Sequence, residues 1–94
     1  MTEAIRRRYF AKGNVQGVGY RMFALRAAES LSVKGWVRNL PDGRTVEVVG
    51  EADTNTLRAF EGQLRVGPDG AVVQILERVD PDEAEELSGF EIRP

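Results

Sequence analysis

Gly13-Asn14-Val15-Gln16-Gly17-Val18-Gly19-Tyr20-Arg21 joins two segments of different periodicity, and the order of elements follows from it. Before it, Ile5-Arg6-Arg7-Arg8-Tyr9-Phe10-Ala11-Lys12 reads as a strand in which Tyr9 and Ala11 share a face. After it, Tyr20, Phe23, Ala24, Ala27 and Leu31 fall at i, i+3, i+4, i+7 and i+11, the stripe of a helix packed on one side. A strand therefore delivers a glycine loop into a helix start, with Arg21 in the first helical turn. Such a junction can seat a phosphate. Glycines let consecutive backbone N–H groups converge on an anion, the helix start adds its positive dipole, and an arginine presents a planar fork of donors.

Working outward, Val33 to Leu40 reads as a second strand and Thr45 to Gly50 as a third. Between them, Leu40-Pro41-Asp42-Gly43 is a turn signal, so these two strands form a hairpin. Asp53 or Thr54 can cap a second helix whose Leu57, Phe60 and Leu64 keep helical spacing, and Gly67-Pro68-Asp69-Gly70 ends it. A fourth strand follows from Ala71 to about Val79. The acidic run from Asp80 to Glu86 reads as a solvated connection, and Phe90 and Ile92 alternate with charges in a short terminal strand. The order β-α-β-β-α-β with a short extra C-terminal strand fits an α+β, ferredoxin-like sandwich: one mostly antiparallel sheet with both helices on one face. No linker or repeat divides the chain, so residues 1–94 are expected to form a single domain. Fold alone does not specify activity, because many functions use this architecture.

Composition narrows the chemistry. The chain has 94 residues, 41% of them hydrophobic, with no cysteine and no histidine. Disulfides, thiolate ligands and imidazole bases are thereby excluded, any metal site would have to use carboxylates alone, and neither a metal nor a cofactor is expected. Met1-Thr2-Glu3-Ala4-Ile5-Arg6-Arg7-Arg8 carries no apolar run behind its basic residues, and no stretch is long enough to span a bilayer; a soluble, cytoplasmic protein without a membrane partner is expected. No oligomer interface is legible, and a monomer is the default. The net charge of −2 conceals a basic first half. Residues 1–44 hold nine Lys/Arg against three acids, and residues 45–94 hold four against twelve. Such a field can steer an anionic substrate toward the glycine loop, or the arginines can simply serve strand edges and solvation.

The loop itself excludes several phosphate sites. It lacks the GK[ST] ending of a nucleotide P-loop and the GxGxxG spacing of dinucleotide-binding folds. A thiol phosphatase would need cysteine six positions before Arg21, where Val15 stands. A second segment, Gly35-Trp36-Val37-Arg38-Asn39-Leu40-Pro41-Asp42-Gly43, alternates buriable Trp36 and Val37 with Arg38 and ends its strand on Asn39.

Together, Gly13-x-Val15-Gln16-Gly17-Val18-Gly19-Tyr20-Arg21 and Gly35-Trp36-Val37-Arg38-Asn39 resemble the acylphosphatase family, and the agreement runs to the Gly89-Phe90-Glu91-Ile92-Arg93 ending. The resemblance implies a metal-independent enzyme that hydrolyses carboxyl-phosphate anhydrides such as acetyl phosphate, carbamoyl phosphate or 1,3-bisphosphoglycerate. It implies that Arg21 binds the phosphoryl group and that Asn39 holds the attacking water. Asn14 departs from the family pattern, which often has arginine there; a changed local contact is expected, with the reaction intact.

Residue chemistry is compatible with that reading. A carboxylate leaves readily, so no strong general acid is required. Backbone N–H groups of Val15, Gln16, Gly17, Val18, Gly19 and Tyr20, with Arg21, can bind the phosphoryl oxygens, while the Asn39 amide can orient water without titrating. Other roles exist for the same residues: Arg21 paired to an acid, Asn39 starting the turn, Gly17 and Gly19 serving only backbone geometry, Gln16 steadying the loop, Trp36 and Phe23 packing. Two further functions share the fold. An RNA-binding sheet would need aromatics on its middle strands, and Thr45-Val46-Glu47-Val48-Val49 has none, so no nucleic-acid partner is expected. A non-catalytic anion-binding or carbamoyl-transfer accessory domain would bind phosphate without turning over any acyl phosphate.

Overall fold

The computed structural model describes residues 3–80 and 85–94. Its elements are β1 (Ile5–Asn14), α1 (Tyr20–Leu31), β2 (Lys34–Asn39), β3 (Thr45–Ala52), α2 (Thr54–Val66), β4 (Val72–Val79) and β5 (Phe90–Ile92). They form a five-stranded sheet in the order β4-β1-β3-β2-β5, in which β2 and β5 are parallel and the other neighbours antiparallel. The ferredoxin-like α+β order, the hairpin of β2 and β3, and the extra terminal strand all match the sequence reading.

Strand alternation decides what each face carries. Tyr9 and Ala11 on β1, Val46 and Val48 on β3 and Val37 on β2 are fully buried against the helices. α1 offers Ala24, Ala27 and Ala28, small side chains that permit close approach to the sheet, while α2 inserts Leu57, Phe60 and Leu64. Complete burial of each of these three large α2 residues contributes about 1.5–3 kcal/mol. Phe60 meets Tyr9 and Phe90 edge-on, at ring-centroid distances of 6.3 and 6.0 Å, so α2 grips both the centre and the rim of the sheet.

The opposite face is held by charge. Arg6 pairs with Glu51 at 2.8 Å, and Glu47 lies between Arg8 at 3.2 Å and Arg38 at 2.7 Å. On the helix side, Arg7 meets Glu61 at 2.9 Å. The basic first half and acidic second half thus interleave, and the Arg6-Arg7-Arg8 run is structural rather than a free field for steering. Trp36, Val49 and Leu87 make a small apolar cluster on the open face, with the Arg93 guanidinium 4.9 Å from the indole centroid.

Element boundaries differ from the sequence reading in several places; β2 ends at Asn39 rather than Leu40, and β4 begins at Val72 rather than Ala71. β1 continues to Asn14 because Gly13 and Asn14 pair with Val73 and Val72 beyond a bulge in β4. A Cβ at Gly13 would lie 2.2 Å from the Val72 carbonyl oxygen, so only glycine fits this crossing. β2 begins at Lys34 because Val33 belongs to the exit of α1: Ser32 is left-handed at φ 57°, and the Val33 N–H donates to the Ala28 carbonyl at 2.8 Å. β3 runs on to Ala52 through its register with Ile5. Of the expected acidic connection, residues 81–84 lie outside the described residues, and Glu85 and Glu86 are exposed.

The topology sets up the site. β1 and β2 are both antiparallel to β3 and therefore run parallel to each other, so Asn14 and Asn39 finish at the same end of the sheet with the start of β3 between them. α1 begins at that end.

Candidate active site

Two left-handed glycines shape the connection from β1 to α1. Gly17 has φ 76° and Gly19 φ 82°, where an L side chain would strain the backbone although open space surrounds both positions. Gly19 is the N-cap of α1 and contributes no side-chain cap, and the first turn contains no acid. The first α1 N–H with a described protein acceptor is that of Phe23, which donates to the Gly19 carbonyl at 3.0 Å. The N–H groups just ahead of it, at the positive end of the helix dipole, are left for an external acceptor.

Tyr20 fixes the angle of the helix start. Its ring is buried and its hydroxyl donates to the Leu64 carbonyl at 2.6 Å, tying α1 to α2. Burial raises the phenol well above its ordinary range, so Tyr20 remains a neutral donor. Val15, also buried, anchors the other end of the loop in the core.

The loop is joined to the hairpin by Gln16. Its Nε2 donates to the Leu40 carbonyl at 2.8 Å and the Thr45 carbonyl at 2.9 Å, the two residues that close the neck of the β2–β3 turn. A backbone bond from the Gly13 N–H to the Arg44 carbonyl at 3.1 Å reinforces the same junction. Within the turn, Asp42 accepts from the N–H groups of Arg44 and Thr45, both at 2.9 Å, and from the Thr45 hydroxyl at 2.5 Å. These bonds, led by that from the hydroxyl, hold its carboxyl below the usual carboxylate range.

Asn39 ends β2 two residues after Val37, and alternation puts it on the helix side while Arg38 turns to Glu47 on the other face. Its Oδ1 is buried and has no hydrogen-bond partner among the described residues. A buried amide oxygen left without any partner costs about 1–3 kcal/mol, so this atom calls for one, and a water is the smallest group that supplies it.

Val15, Gly17, Gly19, Tyr20, Arg21 and Asn39 line one concavity of about 250 Å³, together with Met22 and Ile92. Arg21 is exposed and forms no ion pair among the described residues, so the alternative of a structurally paired arginine is not realised. Gln16 and Val18 do not line this space. Gln16 spends its side chain on the hairpin, and Val18 packs toward the core and the neighbouring groove, leaving only their backbone at the loop. Sequence reasoning passed over Met22 and Ile92. Their signals were positional: Met22 follows Arg21 on the helix, and Ile92 enters through the parallel pairing of β5 with β2 opposite Val37. Among the described residues, no carboxylate lines the concavity and no three acidic side chains cluster as metal ligands.

These features define an α+β fold in which an arginine-edged, uncapped helix start faces the Asn39 amide across one concavity. The acylphosphatase family model matches residues 7–92. An acylphosphatase of Caldivirga maquilingensis is 42% identical over 94 residues, covering 99% of this chain and 98% of that one. The crystal structure of Bacillus subtilis acylphosphatase superposes with a TM-score of 0.89 at 30% identity, covering 98% of this chain and 100% of that chain. A full-length HypF crystallised in its phosphate- and nucleotide-bound form contains a similar region, with a TM-score of 0.84 at 27% identity, covering all of this chain but 12% of that one. This chain belongs to the acylphosphatase family. Its activity is that of a hydrolase acting on acyl phosphates.

Proposed function

We propose that the phosphoryl group of the acyl phosphate sits on the backbone N–H groups of the Val15–Tyr20 loop and on Arg21, and that Asn39 orients the water that attacks phosphorus. The observation that carries this reading is the shared concavity, in which an uncapped helix start, an unpaired guanidinium and a partnerless amide oxygen converge. Water attacks in line, the bond between phosphorus and the carboxylate oxygen breaks, and the products are a carboxylate and inorganic phosphate. Charge developing on the equatorial oxygens is met by the Arg21 fork and the fixed backbone dipoles, which need little reorganisation. Asn39 cannot serve as a base, since its amide does not titrate. Its oxygen accepts a hydrogen bond from the water and holds the nucleophile in line, while the proton lost on attack passes to a phosphoryl oxygen of the substrate. Neither metal nor cofactor is assigned a role, and residues 1–94 act as one domain on a small-molecule substrate.

Hydrolysis of acetyl phosphate and benzoyl phosphate in excess EDTA, with a phosphate monoester as control, tests this assignment. The wild type should turn over both acyl phosphates and leave the monoester intact. Asn39→Ala should lose turnover by at least ~100-fold while inorganic phosphate still competes for the site, because the water is lost and the cradle kept. Loss of phosphate binding in that variant would mean that Asn39 shapes the cradle instead, and an EDTA-sensitive wild type would require a metal in the mechanism.

A further inference from the structure

The phosphate seat does not end at Arg21. A second concavity, about 440 Å³, lies along α1 toward α2 and is lined by Val18, Gly19, Met22, Phe23, Arg26 and Ala27, with Ser30, Gln63 and Pro68 at its far end. Gly19 and Met22 belong to both spaces, so the groove leads out of the cradle. Its near wall is apolar, formed by Val18, Phe23 and the exposed side chain of Met22. Met22, Arg26 and Ser30 follow at i, i+4 and i+8, one ridge of the helix. No acid lines the groove, and Arg26 has no ion-pair partner among the described residues, in contrast to the arginines of β1.

From these features we infer that the groove receives the acyl part of the substrate and that Arg26 selects acyl groups carrying a second anionic group, a carboxylate or a phosphate, beyond a short apolar spacer. This inference rests on the cradle assignment above. With the phosphoryl group at the start of α1, the acyl chain has to leave past Met22, whose thioether packs against methylenes without demanding one shape. Arg26 follows Gly19 by seven residues, a rise of about 10 Å, and helical side chains lean back toward the N-terminus. Its guanidinium therefore covers the turn above the cradle, within reach of a group two methylenes beyond the reacting carbonyl. Serving an anion there needs no rearrangement, since the arginine is not engaged elsewhere.

Steady-state kinetics on three substrates test it. Butyryl phosphate and succinyl phosphate match in chain length and differ in the terminal charge, and acetyl phosphate has no chain to fill the groove. In the wild type, kcat/KM for succinyl phosphate should exceed that for butyryl phosphate, and Arg26→Gln should lower this ratio about fivefold, the upper end for one solvent-accessible ion pair. Arg26→Lys should keep the ratio within about twofold of wild type, and Arg26→Glu should push it below that of Arg26→Gln. A 2-carbon spacer ending in phosphonate, in place of carboxylate, should show the same dependence and separates general anion recognition from carboxylate recognition. A succinyl-to-butyryl ratio unmoved by Arg26→Gln, in a protein whose activity is destroyed by Arg21→Lys, would overturn the acyl subsite and leave the cradle standing. Were Arg21→Lys equally harmless on all three substrates, the cradle assignment itself would fall, and the subsite with it.

Discussion

The two helices of this protein begin in opposite ways. α2 starts at Asp53, whose extended backbone and carboxylate form an ordinary cap: Oδ1 accepts from the Thr56 N–H at 2.8 Å. α1 starts at a left-handed glycine with no side-chain cap and no acid in its first turn, and Arg21 stands two residues on. One helix terminus is satisfied by the chain, and the other is where we propose that the substrate's phosphoryl group sits. A cap such as Asp53 contributes to stability. Leaving α1 open gives up that contribution and exposes oriented N–H groups, which in the proposed mechanism meet the negative charge that develops during phosphoryl transfer. The loop that holds α1 open is stiffened elsewhere, by Val15 in the core, Tyr20 on Leu64 and Gln16 on the hairpin neck.

The contrast predicts effects of graded size. The largest is at Arg21. Arg21→Lys keeps the charge but replaces a planar fork with a point charge, and turnover of acetyl phosphate should fall at least ~100-fold with the fold intact by circular dichroism. Near-normal turnover would place the phosphate away from the start of α1. Gln16→Ala should act more mildly, reducing kcat about tenfold with a smaller change in KM, because it frees the hairpin neck and Asn39 from the loop without removing a phosphate contact. A purely thermal effect with unchanged kcat would make Gln16 a stability residue only.

At α2 the expectation reverses. Asp53→Ala should lower the melting temperature by a few degrees and leave kcat unchanged, since its carboxylate caps a helix remote from the cradle. The pH dependence has a definite sign. Hydrogen bonds from Thr56, its backbone N–H foremost, depress the Asp53 pKa, so the capping contribution is complete above the ordinary unfolded carboxylate pKa and is lost as pH falls through the lower folded value. The wild-type advantage over Asp53→Ala should therefore shrink in acid, which paired melting curves at neutral and acidic pH would read out. An advantage that grew on acidification would contradict the capping role.

Much of this contrast was legible in the residues. Asp53 or Thr54 reads as a cap from its place before a helical stripe, and the structure uses Asp53; the glycine loop and Arg21 were legible because positive φ and a donor fork require particular residue types. Asn39 was less so. An asparagine before a turn is ordinary, and its role rested on family resemblance; the buried, partnerless Oδ1 is a property of packing that spacing does not reveal. The side chain of Gln16 was likewise unreadable, because its two acceptors are carbonyls distant in sequence. Glu47 shows the same limit on the open face of the sheet. Alternation along β3 puts it on the open face, where solvent would be expected, yet Arg8 and Arg38 from the neighbouring strands bury it to 5% exposure. Charge counted along the chain likewise suggested a basic half able to steer substrate, while strand pairing sets Arg6, Arg7 and Arg8 against acids from later in the sequence. Local patterns specify elements and backbone-demanding sites; pairings between distant strands determine which charges remain free.

The central claim is that the open start of α1 seats the phosphoryl group. Titrating inorganic phosphate into ¹⁵N-labelled protein, while following backbone amide shifts by NMR, tests it most directly. Saturable shifts should concentrate on residues 15 to 22 and Asn39, should disappear or require far more phosphate in Arg21→Lys, and should leave the Thr54–Leu57 turn of α2 unmoved. Shifts centred on the arginine-rich open face of the sheet, or a loop indifferent to phosphate, would contradict the account.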